Sequence, residues 1–419
     1  MKEGDRQRPQ ESSISVILHM ESTSATIDNK DLYQLYFIED IYSSCMAGKI
    51  QFADPYGAFE LGPITGNERI TVIFGVEEDI QREFVIYKIQ RVEQLSSYER
   101  GGMHVFEIFF VDAIFYNLNH KSYSRSWTNT TISQIVRDIC KYMLDDPTFG
   151  LFEESNETLA NFYMPGWTPR EAIQWLLRRA SGTSSGQAGY LFYNNIEGTN
   201  FVTVDKLLAS KVMDSTKFTL KQEDEIYSLH QILSWAHLGL DTTSVRHVRG
   251  GTVMGYDSST KTFVEDTHSY ADSVAQHVLL GGFSIYPDIG DELAIDTLDG
   301  DPDTQILKNI NQNNFISRYN RQMLTQIMVP GSVTDRYCGG LIEIEWPSAI
   351  PGIGRMNEMM KGYYLVKSIT HQWSFQQSPT YIQKMILIKN AYTKVDASNV
   401  IPLVKATKTN QTGVASLTL

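Results

Sequence analysis

The 419-residue chain is poor in cysteine: Cys45, Cys140 and Cys338 are odd in number and far apart. That excludes a disulfide framework and a CxxC metal site, and predicts reduced, partly buried thiols. Long apolar runs are missing as well. No stretch approaches the roughly 20 apolar residues that cross a bilayer as a helix. The polar start, Met1-Lys-Glu-Gly-Asp-Arg, leads into no signal-peptide core. Synthesis in a reducing cytoplasm without membrane insertion is therefore expected. Basic residues are in deficit, 36 Lys+Arg against 49 Asp+Glu, for a net charge of −13. Such an excess of acid disfavours the molecule as a phosphate-backbone binder and excludes sequence-specific nucleic acid from the expected partners. Glycine and proline, 29 and 13 residues, are too few for collagen-like or low-complexity sequence. Apolar residues, at 42% with 11% aromatic, are too plentiful for a disordered chain. At roughly 150 residues per domain, the length suggests two or three domains.

Residues 14–116 read as strands. Ile70, Val72 and Phe74 alternate with Thr71, Ile73 and Gly75, and the segment from Val105 to Val111 is apolar on both faces. Turn signals at Asp54-Pro-Tyr-Gly and Arg100-Gly-Gly have the spacing of an antiparallel sandwich or barrel. Near residue 128 the period changes. Thr131-Ile-Ser-Gln134 has the form of a capping box, followed at helical spacing by Ile132, Ile135, Val136, Ile139, Cys140 and Met143. Thr168-Pro-Arg-Glu171 announces a second helix, with Thr168 as cap, Pro169 at the first helical position and Gly182 placed to end it. Tyr190 to Asn195 and Asn200 to Val204 then form a hairpin. From about 215 strands return, with irregular stretches between them. Gly250 to Tyr256 and Lys261 to Val264 flank an Asp257-Ser-Ser turn, and Gly362 to His371 pairs with Tyr381 to Lys389 across a turn holding Pro379. The expected division is an N-terminal arm (1–13), a first β domain (14–118), a small α/β insert (119–212), a second β domain (213–392) and a polar C-terminal tail (393–419).

No catalytic pattern emerges. His230, His237, His247, His268 and His277 lack the HExxH or i, i+4 spacing of a zinc site. The acidic run Asp296 to Asp303 lacks the residue order of a calcium loop and reads as a solvated turn. Glu153-Glu154 and Glu343/Glu345 resemble hydrolase pairs in type only, and the second pair falls on one solvated strand face. Nucleophile-elbow and phosphate-loop motifs are absent, and Pro351-Gly-Ile-Gly354 is a turn. Arg178-Arg179 suits a helix C-terminus, and Arg246/Arg249 is a short basic pair. These observations predict no catalytic residues, no cofactor and no metal.

Two stretches carry a resemblance. Asn161-Phe-Tyr-Met-Pro-Gly-Trp-Thr-Pro-Arg-Glu-Ala-Ile-Gln-Trp-Leu-Leu-Arg-Arg-Ala180, followed by Gly189-Tyr190, resembles a segment of contractile-tail phage baseplate hub proteins. So does the order Arg321 to Ser332, Gly340-Leu-Ile-Glu-Ile-Glu-Trp-Pro, Gly362 to His371 and Tyr381 to Asn390. The family is similar to phage late control protein D and to the hub part of type VI secretion spike proteins. The positions that carry the resemblance are Pro165, Trp167, Pro169, Trp175, Tyr190, Gly331, Gly340, Gly362, Tyr364 and His371, all suited to shaping turns and cores. The resemblance implies a mainly β fold with two tail-hub β-barrels flanking an insert with two helices. It implies a homotrimeric, non-enzymatic ring in the virion tail baseplate that joins a separate trimeric spike to the tail tube or its initiator. Tape-measure and wedge proteins are further expected contacts. The conduit would pass DNA during ejection, with an acidic lumen that repels it. Two alternatives stay open from the residues alone: a tail-associated wall or polysaccharide hydrolase, and a carbohydrate-binding tail protein that stacks sugars on surface Trp and Tyr.

Overall fold

In the computed structural model the described residues are 13–20, 24–54, 66, 68–75, 80–94, 104–217, 232–240, 251–257, 260–281, 283–284, 294–298, 303–320, 323–333, 335–346, 360–375 and 380–392. Residues 1–12 of the expected 1–13 arm, the 393–419 tail, His230, His247, Arg246, Arg249, the 351–354 turn and the turns at 55–57, 100–102, 258–259 and 379 lie outside them.

The chain is mainly β. The first strands are β1 (Ser13–His19), β2 (Ser24–Ile27), β3 (Leu32–Asp40), β4 (Ala47–Asp54), β5 (Arg69–Gly75), β6 (Ile80–Gln94) and β7 (His104–Asp112). A middle region follows with α1 (Phe115–His120), β8 (Tyr123–Thr131), α2 (Ile132–Met143), β9 (Phe149–Phe152), β10 (Thr158–Trp167), α3 (Pro169–Leu177), β11 (Tyr190–Asn195), β12 (Gly198–Thr203) and α4 (Val204–Leu208). The rest comprises β13 (Val212–Lys217), β14 (Ser234–Leu240), β15 (Gly251–Asp257), β16 (Thr262–His268), α5 (Tyr270–Gln276), β17 (Phe283–Ser284), β18 (Ala294–Leu298), α6 (Thr304–Tyr319), β19 (Met323–Pro330), β20 (Leu341–Glu345), β21 (Gly362–Ser374), β22 (Thr380–Ile388) and β23 (Ala391–Tyr392).

One 13-stranded sheet runs through both ends of the chain, in the order β14-β19-β22-β21-β3-β4-β7-β6-β5-β1-β2, with β20 on β21 and β13 on β20. The crossing point is β3 against β21, antiparallel, with Phe37 opposite His371 and Leu35 opposite Trp373. Alternation decides which side chains face inward. On β3, Leu35, Phe37 and Glu39 are fully buried. Their apolar members join Ile14, Val16, Ile50, Val72, Phe84, Ile108 and Phe110 in one core. A second core under the other half gathers Ile327, Val329, Ile342, Ile344, Trp346, Tyr364, Val366 and Leu387. Each such burial contributes roughly 1.5–3 kcal/mol.

The two expected helices are present. Thr168 accepts from the Glu171 amide while Glu171 bonds back to the Thr168 amide, so the capping box is complete and Pro169 occupies the first turn. At α2 only half of the box forms. Thr131 accepts from the Gln134 amide, but the Gln134 side chain turns to Asp138, its i+4 neighbour. Gly182 does not terminate α3: the helix ends at Leu177, capped by Arg178. Gly182 instead sits where a Cβ would strike the Glu153 carboxylate. The hairpin β11–β12 forms as expected, with Asn195 opposite Gly198, as do β15–β16 and β21–β22.

The main departure is α6, sixteen residues in a region expected to hold strands and irregular chain. Asp303, the last residue of the acidic run, caps it by accepting from the Gln305 amide. Ile306, Leu307 and Ile310 complete the core of the middle region, together with Val253 and with Ile135, Ile139, Ala172, Leu176 and Phe201. Two sequence-distant segments thus share one interior.

Candidate functional site

Where β3 meets β21, the inward parity of an apolar strand is broken by two titratable residues. Glu39 follows Leu35 and Phe37 on the inward face of β3, and His371 lies between Ile369 and Trp373 on β21; both are fully buried. A buried carboxylate persists only when its lone pairs are used, and here they are. Glu39 Oε2 accepts from the Cys338 amide at 3.0 Å, and Oε1 accepts from the Ile196 amide at 3.2 Å. His371 Nε2 lies 3.2 Å from the same Oε1, though not aligned as a hydrogen bond. On its other side, His371 Nδ1 pairs with the Tyr381 hydroxyl at 2.7 Å.

The rings of this group are layered. Phe37 stacks on His371 at 4.3 Å and 17°, and Trp373 stacks on Tyr381 at 4.1 Å and 6°. Burial and the nearby Glu39 charge push the Tyr381 hydroxyl well above its ordinary pKa, so it stays neutral and can serve as a hydrogen-bond donor. Tyr381 also explains Gly331, where a Cβ would lie 2.2 Å from the ring.

The network continues beneath. Arg336, fully buried, donates to Asp214 at 2.7 Å and to the Pro330 carbonyl at 2.8 Å. Gln383 bridges the Ser332 backbone in both directions. Arg82 reaches from β6 to the carbonyls of Asn195 and Ile196 at the β11–β12 turn. Asn195 in turn donates to the Cys338 carbonyl at 2.9 Å. Burial pushes the Cys338 thiol far up, and that of Cys140 up to about 12, so both are poor nucleophiles at neutral pH. The site therefore ties β3, β21, β22, the β11–β12 turn and residues 330–333 and 335–340 into one joint. With Glu39 and His371 sealed from solvent, no substrate reaches them.

The ten signature residues fall into separate places. Gly331 and His371 belong to the joint. Gly340 packs against Met213, which a Cβ would meet at 2.0 Å. Tyr364 sits in the second sheet core, accepting from Trp346 Nε1 and donating to the Met360 carbonyl; Gly362 begins its strand at a φ of +111°. Pro165, Trp167, Pro169, Trp175 and Tyr190 all lie in the middle region, on β10, α3 and β11. There Trp175 packs 5.1 Å from Phe162 and beneath the Arg179 guanidinium. Pro165 flanks a register shift in β10 ahead of Trp167, and the Tyr190 hydroxyl donates to the Glu154 carbonyl.

The carboxylates considered for hydrolysis part company. Glu153 is buried and accepts from the Thr203 amide and hydroxyl, while Glu154 faces outward to Arg137. His277 is buried against Asp205 and Asn320, His237 bonds Thr325, and His268 lies 3.8 Å from Asp266. Among the described residues, no three His, Cys, Asp or Glu side chains are grouped to hold a metal, and no helix is long and apolar enough to cross a membrane. Glu39, Arg336, Tyr381 and Gln383 escaped the sequence reading. For Glu39 a signal existed, a charge at the inward parity of Leu35 and Phe37.

No protein-family model and no curated protein matches the sequence. Solved structures do. A 43 kDa tail protein of prophage MuSo2 from Shewanella oneidensis matches with a TM-score of 0.58 at 14% identity, covering 90% of this chain and 98% of that one. A tail protein from Neisseria meningitidis matches with a TM-score of 0.59 at 10% identity, covering 90% and 96%. A weaker likeness, with a TM-score of 0.46 at 12% identity, is to an E. coli component of the type VI secretion system, covering 90% and 79%. The chain shares its fold with the two tail proteins over nearly their whole length.

Proposed function

We propose that the chain is a non-enzymatic hub of a contractile-tail baseplate: a homotrimeric ring in the virion that joins a separate trimeric spike to the tail tube and leaves a channel for DNA. The observation that carries this reading is the likeness in fold to two tail proteins, which spans 90% of the chain. The sealed joint agrees with it. Its polar groups are spent on backbone amides, carbonyls and one another, a pattern that fixes a unique arrangement of strands rather than turning over a substrate. The two β regions act as a pair of barrel-like modules, so three copies supply six similar modules to a six-fold tube. An acidic chain of −13, taken three times, gives a wall from which DNA is repelled.

The test is mass photometry of the purified chain at micromolar concentration, followed by negative-stain imaging. A three-fold ring with six lobes is expected, and capture of a cognate spike by the immobilised ring. A strictly monomeric particle that captures no spike overturns the reading. Dye release from labelled peptidoglycan, abolished by changing a single Glu, replaces it with a hydrolase.

A further inference from the structure

Away from the joint, the described residues form a cleft of about 860 Å³, a volume within the range of roughly 300–1,000 Å³ usual for sites that enclose a ligand. Its walls are the end of α4 with the residues after it (208–212), residues 279–281, strand β20 and the start of β21 (361–363). Leu208, Val212, Leu279, Leu280 and Leu341 supply apolar lining, and all five belong to one hydrophobic cluster or pack against it. Val212 and Leu279 are only half-buried and Tyr363 is 43% exposed, so the cleft leaves apolar surface in water that an occupant would remove. Glu343 and Glu345 stand in the same lining with Lys211 and Lys361, and these charges cancel. The occupant that suits such a cleft is a short apolar stretch of chain with little net charge.

The chain delivers such a stretch to the cleft itself. Just before Tyr392, where the described residues end, side chains fasten the backbone to the cleft walls. Asn390 accepts from the Leu280 amide at 2.9 Å and donates to the Val278 carbonyl at 2.9 Å. Lys389 donates to the Lys361 carbonyl at 3.1 Å. β23 then pairs with β17, setting Tyr392 opposite Phe283, close in sequence to Gly281 of the cleft wall. The sequence beyond is polar from Thr393 to Asn399 and then reads Val400-Ile-Pro-Leu-Val404, the longest apolar run between 393 and 419. Val400 follows Tyr392 by eight residues, a length that extends to at most about 26–29 Å. The chain departs beside the cleft, so the run is within reach of it. A tether this short keeps the run at an effective concentration in the millimolar range, above that of any free partner at micromolar concentration.

We propose that the cleft between α4, residues 279–281 and the β20–β21 pair is a peptide-binding groove, and that its occupant is residues 400–404 of the same chain. The branched side chains of the run cover the leucines of the lining. Pro402 has no amide hydrogen to leave unpaired on burial. Lys405 and Lys408, which follow the run, find carboxylates at Glu343 and Glu345. The inference goes beyond the hub reading and does not depend on it, since it concerns a single copy of the chain.

The experiment uses the full chain carrying Ile401→p-benzoylphenylalanine, a photoreactive side chain, which is irradiated and digested so that linked peptides can be read by mass spectrometry. Links to residues 208–212, 279–281, 341–345 or 361–363 are expected, on a product that runs at the mass of one chain on a denaturing gel. Adding Ser210→Trp, which brings bulk into the lining at an exposed position, should reduce those links several-fold with far-UV circular dichroism unchanged. In a separate variant, Ile401→Asp/Leu403→Asp, hydrogen exchange of the 279–281 amides should become about tenfold faster than in wild type. Cleft links at the mass of two chains assign the groove to a neighbouring copy and overturn the same-chain occupant. Links that map elsewhere, no links, or links undiminished by a folded Ser210→Trp variant overturn the groove, as does exchange unchanged by the aspartates. Should Ser210→Trp lose its circular dichroism signal, the aspartate pair decides. The number of chains in the particle by mass photometry bears on the hub reading alone.

Discussion

The joint and the packing of α2 on α3 hold together by different means. In the insert, α2 and α3 pack by apolar faces whose contacts lie mostly within residues 118–201, and helix caps supply the start signals. In the joint, Glu39 bonds the amide of Cys338 and neighbours His371, groups roughly three hundred positions away along the chain. In the first, losing an apolar contact costs the transfer and cavity terms of that side chain. The second concentrates buried polar groups, where removing one partner strands the others. Position in the stability order should therefore follow polarity more than burial.

The largest expected effect breaks the joint. Glu39→Ala leaves two amides and His371 without their carboxylate, and should lower unfolding free energy by about 3–5 kcal/mol in urea denaturation; a loss below about 1 kcal/mol would remove the contrast. The next sharpens it on the same side of the sheet. Lys389 is buried, its ammonium donating to the Lys361 carbonyl and lying over the Tyr364 ring. Burial lowers its pKa from 10.5 to about 8. Below pH 8 both folded and unfolded forms are protonated. Between pH 8 and 10.5 the unfolded chain holds the extra proton, so this lysine makes stability rise with pH in that window. Lys389→Met should abolish that rise, seen as the difference between wild-type and variant profiles, and gain up to about 3 kcal/mol at pH 7. An identical pH profile in both proteins would mean that the lysine is not desolvated. The smallest effect belongs to the insert. Thr168→Ala removes one cap bond and should cost about 1 kcal/mol, read by thermal melting. A loss as large as that of Glu39→Ala would erase the distinction between the regions.

What was legible in the sequence divides along the same line. Thr168, Pro169 and Glu171 announce α3 because caps and first-turn residues act on their own neighbours. The α2 stripe is visible because Ile132, Ile135, Val136 and Ile139 recur at helical spacing. α6 was hidden because Asn309, Asn311 and Gln312 are buried on it. They donate or accept across the interface, Asn309 to Glu157 and the Arg179 carbonyl, Asn311 to the Gly251 carbonyl, so polar letters stand where a stripe reading wants apolar ones. His371 was named through the family resemblance, but its carboxylate neighbour was not. No local pattern marks a strand partner that is encoded 330 residues later, and β3 gives no hint of β21.

That pairing also sets a timetable. On a ribosome adding roughly 5–20 residues per second, the strands β1 to β7 emerge well before β21 exists. For about 15–65 s the β3 side of the nascent sheet has no neighbour, its backbone open to other nascent chains. Glu39 and Asp40 stand on that waiting edge. When β21 arrives, Glu39 takes its place against His371, and Asp40 meets Lys367 at 2.7 Å. The two acids that close the finished joint thus lie on the edge of β3 that has no partner until β21 is made.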